Sequence, residues 1–188
     1  MNVKHILLFL LLLSPAAAWL LFKPVRVLAP QLVSGISCVT ETVCMEDSGR
    51  YDEADRLYSD AFSFLETSVA PFEEWPRVIF CSTQACFESF GFSKSSAHAV
   101  GDYGIVIGPQ GWKPRYLRHE MIHHLQAERL GAYKQSRSPD WFREGMAYSL
   151  SVDPRQNLAE PWQQYRARFE EWYQRVGKER LWSEAENL

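Results

Sequence analysis

The chain has 188 residues, of which 46% are hydrophobic and 23% charged, a composition typical of one globular domain with its own hydrophobic core. The formal net charge is −3, and no block of basic residues is present. These features argue against a nucleic-acid-binding protein, which would need a cationic face, and the chain has neither an internal repeat nor a low-complexity tract.

The N-terminal segment over residues 6–22 is almost wholly apolar and has basic residues on both sides. The three alanines at 16–18 match a signal-peptidase site, but the apolar run continues beyond them, which favours an uncleaved anchor. A helix of this length spans about 25 Å, near the lower limit for crossing a bilayer. The predicted organisation is a transmembrane signal anchor at 1–23, a short extended linker at 24–35 and a folded domain at 36–188.

Four cysteines form two local pairs, Cys38 with Cys44 and Cys81 with Cys86. Behind a secretion-type segment they indicate disulfides in an oxidising compartment, although four free thiols are the alternative. Three connectivities are open, and the two local pairings need the least chain. We therefore expect a single-pass, membrane-anchored protein whose domain lies in the periplasm or the extracellular space.

The hydrophobic periodicity of the remaining chain gives the order helix, strand, helix, strand and three helices, which is typical of an α+β fold. The predicted elements are a hairpin at 36–45, a helix at Tyr51–Ser68, a strand at 77–81, a helix at 83–90, a polar loop at 93–97, a strand at 103–107, a helix at 114–130, a turn at 131–137, a helix that starts at Ser138 and Pro139, and a helix at 160–176. The aromatic stripe of the last helix predicts a core-packing face, with an aromatic groove as the alternative; it comprises Trp162, Tyr165, Phe169 and Trp172.

The predicted helix at 114–130 carries the motif HExxH, formed by His119, Glu120 and His123. Residues four apart lie on one face of a helix, so both imidazoles can reach one ion, and neutral imidazole suits Zn²⁺. Glu120 is offset by one residue, so its carboxylate lies beside the metal and can take a proton from a water whose pKa the metal lowers to about 7. The motif therefore predicts a metal site with its own base.

A third protein ligand is expected further along the chain, because an open tetrahedral zinc site has three. Glu144 follows His123 by 21 positions, and a turn between two antiparallel helices would bring its carboxylate beside the histidines. Gly145 would leave room for these two helices to approach each other at the metal. A third histidine, as in HExxHxxGxxH, is ruled out because no histidine follows His124.

The sequence HEMIH followed by WFREGMA resembles the gluzincin metallopeptidases, which are peptidase MA-like, and the chain's size is similar to that of minigluzincins. The resemblance covers about residues 100–150. It implies a small zincin-like metallopeptidase domain with a short β-sheet and an HExxH active-site helix, here behind an N-terminal transmembrane helix. It also implies one Zn²⁺ per chain on His119, His123 and Glu144, Glu120 as general base, and a strand at 103–107 that offers backbone hydrogen bonds to an extended peptide.

One departure from the thermolysin-like pattern lies four residues after Glu144, where Tyr148 stands in place of an aspartate that braces a histidine. The partner of the ligand histidines is therefore unassigned. Candidates for the group that stabilises the oxyanion are Tyr148, Tyr133 and His98. His124 points about 100° away from His123 and is expected to brace the site or pack in the core.

The first functional hypothesis is a membrane-tethered, extracytoplasmic zinc metallopeptidase that cleaves a peptide or protein substrate with Glu120 as general base. The second is a non-catalytic protein that retains the zincin fold, with zinc structural or absent. The third is a zinc hydrolase that acts on a non-peptide bond. A small tethered domain also leaves room for a protein partner that completes its cleft, and no nucleic acid is expected as a partner.

Overall fold

The computed structural model describes residues 17–188 and combines helices with one five-stranded sheet, as the predicted α+β class requires. The α-helices beyond residue 50 are α1 (Tyr51–Ser68), α2 (Gln84–Ser89), α3 (Pro114–Leu130), α4 (Ala132–Arg137), α5 (Asp140–Leu150), α6 (Trp162–Val176) and α7 (Leu181–Ala185). The strands are β1 (Ser37–Cys38), β2 (Val43–Met45), β3 (Val78–Phe80), β4 (Ala97–Val100) and β5 (Gly104–Ile107). Short 3-10 helices lie at Lys23–Leu28, Pro30–Leu32, Ser48–Arg50 and Lys178–Arg180.

The strands lie in the order β1-β2-β3-β5-β4. The inner strands β2, β3 and β5 run parallel, and β1 and β4 pair antiparallel at the two edges. Because side chains alternate across a strand, the inner strands supply two separate cores. Val78 and Phe80 face the larger core with α1, α3 and α5, whereas Ile79 faces a smaller core with Val27 and with Phe87 of α2.

Helices α1 and α3 begin and end where the sequence predicts. Helix α3 begins at Pro114, which needs no hydrogen-bond partner for its nitrogen in the first turn, and ends at Gly131, whose φ of 78° favours glycine. Helix α1 has neither a proline in its first turn nor a glycine after its last residue. Its buried residues recur at three- and four-residue steps. These residues are Ala54, Tyr58, Ala61 and Leu65. The two helices pack against each other over the larger core.

Two predicted irregular segments contain regular structure. The predicted polar loop at 93–97 leads into strand β4, and the predicted turn at 131–137 contains helix α4. Strand β4 lies along the outer side of β5, which places β5 between β3 and β4. The prediction that residues 103–107 line a substrate cleft is therefore wrong, because the backbone groups of an inner strand are paired on both sides.

Both local cysteine pairs are disulfides, Cys38–Cys44 and Cys81–Cys86, and the part of the chain that the structure describes has no free cysteine. The first joins directly opposed residues of the β1–β2 hairpin, which the sequence predicts at 36–45. The second joins the end of β3 to α2. Both pairings confirm the prediction and are typical of an oxidising, extracytoplasmic environment.

Residues 23–32 are packed on the domain instead of forming the predicted extended linker. Val27 is fully buried in the smaller core, and the Arg26 guanidinium donates a hydrogen bond of 2.6 Å to the carbonyl of Ser89. Most of the predicted anchor, residues 1–16, lies outside the described residues. Over residues 17–188, no helix combines the length and the apolar character that crossing a bilayer requires. The domain boundaries at 23 and 35 stay predictions.

Gly145 lies where α5 meets α6, not where α5 meets α3. A methyl group at its Cα would overlap the carbonyl oxygen of Tyr165 and lie 2.8 Å from Cβ of Phe169. The expectation that Gly145 makes room for two helices at the metal is therefore wrong. The glycine allows α6 to press against the side of α5 that faces the core, which fixes the position of the helix that carries Glu144.

Replacement of Gly145 by alanine should lower the free energy of unfolding by about 1–3 kcal/mol, because the added methyl group forces α5 and α6 apart. Chemical denaturation monitored by circular dichroism measures this change. Ser149→Ala, in the partly exposed part of the same helix, should change stability by less than about 0.5 kcal/mol. Equal stability of the two variants would contradict the close approach of α6.

Candidate metal centre

Three side chains from two helices converge on one point. His119 and His123 lie one turn apart on α3, and Glu144 lies on α5. The Nε2 atoms of the two imidazoles are 3.2 Å apart, and Oε2 of Glu144 lies 3.5 Å from that of His119 and 3.6 Å from that of His123. The donor atoms of these residues all lie within 4.8 Å of one another, so the group can hold a metal ion.

The spacing of these donor atoms fits a small tetrahedral site. Ligands bonded to one ion at about 2.0–2.2 Å in tetrahedral geometry are separated by roughly 3.3–3.6 Å, and the three observed distances lie within about 0.1 Å of this range. Two imidazole nitrogens and a carboxylate oxygen this close repel one another unless a cation or a proton lies between them. The set of two nitrogens and one oxygen suits a borderline metal such as Zn²⁺.

The other ring nitrogen of His123 has a buried partner. Nδ1 of His123 lies 3.0 Å from Oε1 of Gln126, and Nε2 of Gln126 donates a bond of 3.0 Å to the carbonyl of Arg143. Gln126 is fully buried. Burial acts to lower the pKa of His123, but the bond to Glu144, the negative charges of Glu120 and Glu144 and the bond to Gln126 outweigh it and raise this pKa.

The Glu144 carboxylate is held in its ionised form. Burial acts to raise its pKa, but the bonds to His119 and His123 and their charges lower it far below the usual value of a glutamate. Arg143 adds a positive charge, with its Nε 3.7 Å from Oε1 of Glu144. A carboxylate that stays ionised at every ordinary pH is suited to binding a divalent cation.

Glu120 lies beside the three donors but is not one of them. Its side chain is almost fully buried, and Oε2 accepts a hydrogen bond of 2.8 Å from the backbone N–H of Ala99 on β4. The carboxylate is therefore anchored between helix α3 and the edge of the sheet. This is the position that the offset of one residue in HExxH predicts, next to the donors and inside the cleft.

A cleft of about 750 Å³ opens over the three donors. It runs along the edge strand β4, and its walls include His98, Tyr148 and Trp162. Trp162 therefore belongs to the cleft wall, whereas Phe169, from the same aromatic stripe, is fully buried in the core. Tyr133 is 76% exposed and does not line the cleft, which removes it from the candidates for oxyanion stabilisation.

Tyr148 is the aromatic side chain that packs on a donor. Its ring meets the edge of the His119 ring with centroids 4.6 Å apart, one helical turn after Glu144. Burial and the charge of Glu144 raise its pKa, so the phenol keeps its proton at neutral pH. Burial lowers the pKa of His98, against the charge of Glu120, which leaves that imidazole neutral at neutral pH.

His124 takes no part in the donor group, as the sequence predicts. It is 2% exposed and its Nε2 lies 3.2 Å from Oε1 of Glu128. The same carboxylate accepts hydrogen bonds from the backbone N–H groups of Glu73 and Glu74. The pair therefore ties the segment after α1 to α3, on a different side of the helix from the cleft.

Two contributors to the site have no role that the sequence predicts, although Gln126 is placed by helical spacing on the same face as His119 and His123. Ala99 acts through its backbone, which no residue type signals. Gln126 has a signal that could have been used, since it lies three residues after His123 and therefore near it on the helix. A glutamine three residues after a histidine can also point into solvent, so a bond between Gln126 and His123 can be inferred only when the burial of Gln126 is known.

The arrangement places a group that could hold a metal ion, an anchored carboxylate and a phenol within one cleft. The chain matches no protein-family model, no curated protein and no solved structure. The functional interpretation therefore depends on the geometry of these side chains and on the sequence motif that they form.

Replacement of Glu144 by alanine should raise the dissociation constant for zinc by more than about 100-fold, beyond the 10–100-fold typical of losing a group that only braces a ligand. Competition with a chromogenic chelator measures the constant. Glu171→Ala removes an exposed carboxylate of α6 and should bind zinc like the unaltered protein. Equal affinity of all three proteins would show that Glu144 is not a ligand.

Proposed function

We propose that the protein is a membrane-tethered, extracytoplasmic zinc metallopeptidase of the gluzincin type. The observation that carries the proposal is the convergence of His119, His123 and Glu144 at distances that fit one tetrahedral ion. The HExxH motif on a helix, followed by a glutamate on a second helix, gives the same ligand set that the resemblance to gluzincins implies. Three protein ligands leave a fourth position open, as in catalytic zinc sites.

Zinc, when bound, lowers the pKa of a water molecule to about 7 and polarises the substrate carbonyl. Glu120 accepts the proton of the attacking water and later delivers it to the leaving amine. The bond from the Ala99 N–H holds one carboxylate oxygen, Oε2, so that Oε1 is the proton carrier in this proposal. Burial of Glu120 excludes bulk water from competing for this proton.

Tyr148 is the proposed donor to the oxyanion. Its phenol keeps its proton at neutral pH, lines the cleft and packs against the ligand His119. A preorganised donor of this kind stabilises negative charge that develops only in the transition state. His98, the other candidate in the cleft, lies tilted against Phe92 with centroids 4.4 Å apart, whereas Tyr148 packs directly on His119, so the role is proposed for Tyr148.

The edge strand β4 is the proposed binding surface for the substrate backbone. Gly108 donates to the carbonyl of Ser96, and antiparallel pairing alternates, so the backbone groups of Ala97 and Ala99 point away from β5. The Ala99 N–H is used by Glu120, which leaves the Ala97 N–H to donate and the two carbonyl groups to accept hydrogen bonds from an extended peptide. This assigns to β4 the role that the sequence predicts for residues 103–107.

The proposed location depends on the disulfides and on the apolar N-terminal segment. Two disulfides are typical of a compartment outside the cytoplasm, and the apolar residues 6–22 suit a retained anchor. Leu20, Leu21 and Phe22, at the end of this segment, are largely exposed. Such side chains are better placed in a membrane than in water, which favours the anchor over a cleaved signal peptide.

Glu120→Gln should keep zinc and lose hydrolysis by about 10²–10⁴-fold, because the amide cannot accept the proton of the attacking water. The measurement compares cleavage of a synthetic peptide library, followed by mass spectrometry, with the zinc content of the same samples. Glu171→Gln, on the exposed face of α6, is the matched control and should cleave like the unaltered protein.

Full activity of the Glu120→Gln protein would contradict the assignment of Glu120 as general base. Failure of the zinc-loaded protein to cleave any peptide, combined with hydrolysis of a non-peptide ester that needs Glu120, would replace the peptidase with a hydrolase of another bond. Absence of both activities would favour the non-catalytic alternative.

Tyr148→Phe should lower kcat by about 10²–10³-fold with little change in KM, because the lost hydroxyl donates mainly in the transition state. Tyr133→Phe, which removes an exposed hydroxyl outside the cleft, serves as the control and should leave both constants unchanged. An unaltered kcat in the Tyr148→Phe protein would return the role of oxyanion donor to another group.

A further inference from the structure

The amide of Gln126 has only one orientation that satisfies both of its neighbours. The carbonyl of Arg143 can only accept a hydrogen bond, so the amide nitrogen Nε2 must face it, at 3.0 Å. The amide oxygen Oε1 must then face Nδ1 of His123, also at 3.0 Å. Because an amide oxygen can only accept, the hydrogen of this bond has to come from the imidazole.

The neutral imidazole of His123 therefore carries its hydrogen on Nδ1, and Nε2 keeps a free lone pair. That lone pair belongs to the nitrogen that lies 3.6 Å from Oε2 of Glu144 and 3.2 Å from Nε2 of His119. A histidine in water prefers the opposite form, with the hydrogen on Nε2, which would block the metal. The buried amide thus selects the form of His123 that can bind a cation.

The same amide links the two helices that supply the ligands. It extends from α3 to the backbone of Arg143, the residue before Glu144, and it is fully buried. A buried primary amide is costly unless both ends are bonded, and here both ends are. An apolar side chain would fill this interior position more simply, so the polar side chain indicates a role beyond packing.

We infer that Gln126 is the positioning residue of the metal centre: its bond to the carbonyl of Arg143 orients the amide, and the amide oxygen fixes the tautomer and ring orientation of His123. This inference rests on the metal site of the proposed function but not on hydrolysis. Thermolysin-like proteins brace a histidine with an aspartate four residues after the ligand glutamate. Here that position is Tyr148, whose ring packs on His119, and the side chain that bonds to His123 is Gln126.

The first test reads the tautomer of His123 in the unaltered, metal-free protein. Because the pKa of His123 is raised, long-range ¹H–¹⁵N correlation spectra are recorded at increasing pH until the His123 signals no longer shift. The spectrum of this neutral form reports which ring nitrogen carries the hydrogen. The signal of His123 is assigned by its loss in His123→Ala. We expect hydrogen on Nδ1, and a spectrum with hydrogen on Nε2 would overturn the inference.

The second test separates positioning of His123 from a merely structural bridge. Gln126→Met keeps the length of the side chain but removes both bonds, and the zinc dissociation constant should rise about 10–100-fold. Gln126→Glu can still accept from Nδ1 of His123 but cannot donate to Arg143, so it should keep the tautomer and bind zinc within about tenfold of the unaltered protein. Thermal unfolding of each variant checks that the fold is retained.

The outcomes are distinct from those of the peptidase tests. Recovery of both tautomer and affinity in Gln126→Glu, but not in Gln126→Met, supports the inference even if no peptide is cleaved. Equal loss of zinc affinity in both variants with an unchanged His123 tautomer would show that Gln126 only holds the helices together. Unchanged affinity in a folded Gln126→Met protein would overturn the inference altogether.

Discussion

The contact between helices α3 and α5 is the constraint on which the site depends. Three atoms with lone pairs, two from α3 and one from α5, meet at distances of 3.2–3.6 Å in a largely buried position. Such an arrangement is unfavourable without a positive charge between the atoms, so the fold has to hold the two helices together by other means. The larger core, with Leu125 and Met121 on α3 and Phe142 and Met146 on α5, provides that support.

Two further contacts reinforce the geometry from outside the donor group. Helix α6 presses against α5 at Gly145, where any side chain would collide with the backbone of Tyr165. On the opposite side, Gln135 of helix α4 donates a bond of 2.7 Å to the carbonyl of His123. These contacts support the two helices that carry the donors, which is what a preorganised site requires.

The cleft combines elements that are far apart in the chain. Its floor is helix α3, one wall is the edge strand β4, and the other comes from α5 and the start of α6. The bond between Ala99 and Glu120 joins the wall to the floor, so a ligand on the edge strand lies next to the carboxylate.

The sequence by itself determined the α+β class, the ends of α1 and α3, the two disulfide pairings and the side chains that can hold a metal. Each of these follows from local rules: helical periodicity, proline and glycine at helix ends, short loops between cysteines, and the spacing of HExxH. The predicted closeness of Glu144 to the two histidines is also confirmed, because the short connection through α4 returns α5 to the side of α3.

Only the tertiary structure decided which strand borders the cleft, which helix packs against Gly145 and which side chain bonds to His123. Strand β4 has a weak signal, since alanine and histidine have little preference for strands, and its edge position depends on pairing with β5. The role of Gln126 depends on a carbonyl seventeen residues away, and that of Ala99 on a backbone N–H. Contacts of this kind arise from packing between distant segments, which local periodicity cannot encode.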